Sequence, residues 1–81
     1  MLLHINDTKD RLHIVNPTHV TRIYVQHEEA TRRKSDGFVI PAHVETIIDL
    51  QGGPCIHTTD PLTAVQVSWE KALMDFWRTR Q

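Results

Sequence analysis

Cysteine is almost missing from this chain: Cys55 stands alone among 81 residues. One thiol closes no intrachain disulfide, which excludes a disulfide-stapled scaffold. Glycine is sparse as well, at three residues, so turns that need it are few and easily placed. No segment approaches the roughly 20 apolar residues of a membrane helix. The opening "MLLHINDTKD" has neither the basic start nor the sustained apolar stretch of a signal peptide. An excess of charge is also lacking, since nine Lys and Arg against ten Asp and Glu leave −1 with histidines neutral. Proteins that hold polyanions by net charge carry a large positive surplus, so any nucleic-acid surface here is local. These absences point to a soluble, cytoplasmic chain of bacterial type, with no membrane partner.

Size sets a further bound. A chain this short buries only roughly 60% of the surface its unfolded form exposes, which leaves little room for a deep enclosed site. The expectation is a non-catalytic single domain over residues 1–81, with no cofactor and no small-molecule substrate evident.

What is present is alternation. Leu3 and Ile5 flank His4, and Leu12 and Ile14 flank His13, so two strands over about 2–5 and 11–15 make a hairpin around the polar turn "NDTKD". Pro17 lacks an N–H and Asn16 precedes it, so "NP" ends the second strand, and "PTH" suits one helical turn. A third strand follows over about 19–27, rich in Val20, Ile23, Tyr24 and Val25. Residues 28–42 are charged and aperiodic and read as an exposed loop, long enough to be functional or mobile. A fourth strand over about 43–51 places Val44, Thr46, Ile48 and Leu50 on one face, with His43, Glu45, Ile47 and Asp49 on the other. "QGG" is a tight turn into a fifth, edge strand over about 54–58. Asp60 and Pro61 then open a helix to about residue 79, with Arg78 and Arg80 at its negative pole. Leu62, Val65, Trp69, Ala72, Leu73 and Phe76 share its buried stripe. The fold class is therefore α+β: a small antiparallel sheet of four or five strands with one long C-terminal helix on one face.

This order of elements resembles the FlbD family of small bacterial regulatory proteins. The likeness is carried by Leu3–Ile5, Ile14–Val15–Asn16, Val20 with Ile23, the "IIDLQGG" hairpin and the "T-x-x-x-L-x-x-V" start of the helix, over about 1–27 and 43–67. It implies regulation through a protein partner. The chain departs from that pattern in the longer loop 28–42 and in about three extra helical turns. Small phage or mobile-element proteins share the same plan.

Several constellations carry chemistry. Six histidines, namely His4, His13, His19, His27, His43 and His57, offer metal-ligating imidazoles. His43 and His57 lie on neighbouring strands, and His4 and His13 fall opposite each other on the first hairpin. No metal-binding spacing accompanies them, so cross-strand histidine pairs are the plainer reading and no metal site is assigned. Cys55 and His57 share a face of one strand near Asp49, as a thiol nucleophile with a base would, although a small structural cysteine explains the same residues. Arg32, Arg33 and Lys34 form a local basic patch with Arg22, Lys71, Arg78 and Arg80, the alternative being a solvated loop balanced by Glu28, Glu29 and Asp36.

The helix gives the sharpest expectation. Val67 and Met74 point away from the stripe, Trp77 lies at its edge, and a helix of this length overshoots a short strand, carrying Phe76 and Trp77 past the sheet. The expected interface is Val67, Met74, Phe76 and Trp77, used by a second copy as a homodimer, with a sheet edge assisting, or by another protein. The alternative packs Trp77 internally against "FVIP". Nucleic acid on Arg32, Arg33 and Lys34 is the runner-up partner, and a histidine-based metal protein the third reading.

Overall fold

In the computed structural model, which describes residues 2–79, the first hairpin is strand β1, Leu3–Asn6, antiparallel to β2, Leu12–Val15. Its turn is held by Asp7, whose Oδ1 accepts from the backbone N–H of Lys9 at 2.8 Å and of Arg11 at 2.9 Å. Leu3 faces Val15 and Ile5 faces His13, so His4 lies opposite Ile14 rather than opposite His13 as expected. The cause is register: the turn around Asp7–Arg11 adds one residue more than that pairing needs.

Asn16 then accepts from Thr18 N at 2.9 Å and Thr18 Oγ1 at 2.7 Å, capping a single 3-10 turn over Pro17–His19. Asn16-Pro17 is thus the corner of the fold, as its sequence reads.

The chain continues into β3, Val20–Glu28. The expected loop that follows holds a small ribbon instead, β4, Thr31–Arg32, paired with β5, Val39–Ile40. Two-residue strands leave no room for alternation, so no periodic signal marks them. Next come β6, His43–Leu50, and β7, Cys55–Thr58. The central sheet is ordered β3-β6-β7, and the hairpin and the ribbon are separate two-stranded sheets, so the largest sheet has three strands rather than four or five. Between β6 and β7, Gly52 and Gly53 stand at φ +94° and +106°, a conformation that a side chain at either position would strain.

Helix α1, Leu62–Thr79, follows. Thr46 Oγ1 donates to Asp60 O at 2.7 Å and fixes where the chain leaves the sheet. Val65 and Ala72 are buried, and Trp69 Nε1–H donates to Pro17 O at 2.8 Å, tying the helix to the corner. The core is built from all three parts: Leu3, Ile5 and Val15 of the hairpin, Ile48 and Ile56 of the sheet, Val65 and Ala72 of the helix.

The molecule measures 55 × 20 × 20 Å, with a radius of gyration of 15.0 Å. A compact chain of this length would give about 12 Å. The elongation has two sources. The ribbon extends β3 and β6 beyond the sheet at one end. The helix, starting near Thr46 and crossing the corner at Trp69, carries its last turns past the other end. Arg80 lies outside the described residues. Among the described residues, no helix is long and apolar enough to cross a membrane.

Candidate functional site

Strand alternation gives the central sheet two unlike faces. Thr46 and Ile48 turn toward the helix, while Glu45, Ile47 and Asp49 turn outward with Arg22, Tyr24, Gln26 and Glu28 of β3 and Cys55 and His57 of β7. Ile47 is only 1% exposed on this outer face, set in register between Tyr24 and His57. Arg22 stacks its guanidinium 4.1 Å above the Tyr24 ring and pairs with Asp49 at 2.9 Å.

Glu45 organises the rest of the face. Its Oε2 lies 2.7 Å from His43 Nε2 and its Oε1 lies 2.8 Å from His57 Nδ1, so one carboxylate clasps imidazoles from two strands. The two histidines expected to touch are bridged rather than in contact. On the far side of His43, Nδ1–H donates to Pro41 O at 3.0 Å. The Pro41 carbonyl and the Glu45 carboxylate both favour the imidazolium, which raises the His43 pKa. The imidazoles of His43 and His57 hold the Glu45 carboxyl below its usual range. Glu28, cross-strand from His43, accepts from Gln26 Nε2 at 2.9 Å and brings a second carboxylate to the cluster. Ligand atoms of Glu28, Glu45 and His57 all lie within 4.8 Å of one another.

Cys55 Sγ stands 3.6 Å from His57 Nε2. The expected grouping with Asp49 does not form, because Asp49 is taken by Arg22; Glu45 occupies the third position instead. Alternation placed Glu45 beside His43, but only side-chain geometry shows it reaching β7. The order Cys55, His57, Glu45 matches the connectivity that activates a thiol. It lies on the open surface of an edge strand, beside a shallow cleft lined by Asp7, Lys9, Arg11 and His13.

The other expected residues lie elsewhere. Val67, Met74 and Trp77 are 51%, 61% and 54% exposed on the helix, and Phe76 is half-buried with its ring edge-to-face on Trp77, centroids 5.8 Å apart. "FVIP" does not cover Trp77; it belongs to the ribbon, where Phe38 lies under the Arg33 guanidinium at 5.1 Å. Arg32, Arg33 and Lys34 are exposed at the ribbon tip, with Arg33 paired to Asp36 at 3.2 Å.

No family model, curated protein or solved structure matches this chain.

Proposed function

We propose that this chain is a non-catalytic interaction module of the bacterial cytoplasm that self-associates through the projecting end of α1. One observation carries the reading. The helix leaves the body with Met74 and Trp77 more than half exposed, and large apolar side chains gathered on one projecting element favour burial by a partner. Val67 extends the same exposed surface toward the helix start, and the Phe76 ring braces Trp77 from the side. A regulatory role through protein contact, as the FlbD resemblance implies, uses this surface without further chemistry. A free, exposed Cys55 suits a reducing compartment.

Light scattering across a range of concentrations tests the proposal. The expected result is a dimer that dissociates on dilution, and a Met74→Gln, Trp77→Gln double variant that is monomeric with an unchanged melting temperature. A strict monomer at every concentration overturns self-association. A variant that unfolds shows those side chains to be core.

The nucleic-acid reading rests on the ribbon tip. Because Arg33 is already paired with Asp36, Arg32 and Lys34 are left to meet phosphates. Two contacts would give a salt slope of only about −2, from roughly −0.9 per phosphate on duplex DNA. Duplex binding with a steeper slope, abolished by neutralising residues 32–34, would reverse the order of the two readings.

A further inference from the structure

The outer face of the sheet holds a second, independent feature. We propose that Glu28, Glu45 and His57, with His43 bracing Glu45 from behind, form a site for a borderline divalent cation, zinc foremost, on the face opposite the helix.

The donor chemistry selects the ion. Imidazole nitrogen with carboxylate oxygen suits zinc, copper and nickel, whereas calcium and magnesium favour shells of oxygen. Two carboxylates balance a dication, and one neutral imidazole completes a set of three protein donors, which leaves a fourth position for water. The strands bring them together from different places in the chain: Glu28 and His43 are a cross-strand pair, and His57 lies diagonally across from Glu45.

The distances fit a modest opening. Metal–ligand lengths of about 2.0–2.1 Å in a tetrahedron separate neighbouring donors by roughly 3.3 Å. His57 Nδ1 now stands 2.8 Å from Glu45 Oε1, so this pair need spread by only about half an ångström to admit the ion. Glu28 closes from the other side by side-chain rotation, its carboxylate already within 4.8 Å of the other two donors.

The Glu45 ligand is oriented in advance by His43. The Pro41 carbonyl is only an acceptor, so His43 Nδ1 carries the hydrogen between them and Nε2 turns to Glu45 Oε2, which leaves Oε1 to the cluster. A ligating carboxylate that is itself held by a hydrogen bond is a usual outer-shell arrangement at metal centres. His57 reaches the cluster through Nδ1, and its Nε2 turns to Cys55 Sγ, which leaves the thiol outside the donor set.

Isothermal titration of the full chain, stripped with EDTA and dialysed, tests the site with zinc chloride, and with calcium and magnesium chloride for contrast. The expected result is saturable binding of one zinc per chain and no comparable binding of calcium or magnesium. Glu28→Gln and His57→Gln should each weaken it at least about tenfold. A His4→Gln, His19→Gln double variant and Cys55→Ser should bind as the parent does. Should His57→Gln fail to fold, Glu28→Gln decides, since that side chain lies at the rim of the cluster. Absence of saturable zinc binding in the parent, or binding unchanged by Glu28→Gln, overturns the proposal and leaves Glu45 as a hydrogen-bonded clasp. Loss of binding in Cys55→Ser, or its dependence on His4 and His19, overturns this donor set.

Discussion

Asp7 closes the first hairpin with a single carboxylate. Its Oδ1 takes two backbone N–H groups, and its Oδ2 accepts from His13 Nε2 at 2.8 Å and Arg11 Nε at 3.2 Å. His13 above all, then the Arg11 backbone, holds this carboxyl well below its ordinary value of 3.8. A depressed carboxyl pKa stabilises the folded state above the unfolded value, and that contribution fades as pH falls through the folded one. Asp7→Asn is therefore expected to lower the urea midpoint near neutral pH, with the gap to the parent narrowing steadily below about pH 4. A gap that stays constant down to pH 2 would mean the carboxylate charge plays no part. "NDTKD" is legible as a turn from composition, but the Asp7–His13 pairing is not, since it joins residues across a turn whose length no local signal sets. Glu45 escaped for a similar reason. Its face was readable from the period of two, while its reach to both His43 and His57 depends on side-chain conformation across two strands.

At the level of elements, strong local rules made the sequence readable. Asn16-Pro17 has few alternatives to a corner, and the stripe from Leu62 to Phe76 has few alternatives to a covering helix. The ribbon β4–β5 shows the opposite case. "EEATRRKSDGFVI" has no alternation, and the ribbon is held by its own turn, where Gly37 N donates to Arg33 O at 2.9 Å and Phe38 N to Asp36 Oδ1 at 3.0 Å. None of its residues is buried, so the core does not depend on it. Replacing residues 30–41 by a short glycine-containing turn should leave a cooperative thermal transition and change stability by no more than about 1 kcal/mol, the scale on which loop length acts. Loss of cooperativity on this trimming would show that the ribbon supports the sheet.

At the scale of the whole molecule, two projections from opposite ends make a rod of 55 Å, and the two margins of its central sheet are treated differently. The β7 margin is guarded by the hairpin tip, whose Thr8 N donates to His57 O at 2.9 Å. Among the described residues no strand pairs along the outer margin of β3, which is nine residues long and contains "RIYVQ". Its irregular register between Val20 and Arg22, and the polar Arg22 and Gln26, are features that discourage a foreign strand from docking. This margin makes the chain a template for fibril growth once those guards are removed. An Arg22→Val, Gln26→Val variant is expected to form thioflavin-positive fibrils at concentrations where the parent stays dispersed; equal behaviour of the two would place the protection elsewhere. The same rigid, open margin that lets β3 reach out to carry the ribbon thus obliges the sequence to keep charge on a strand that β-propensity alone would have made wholly apolar.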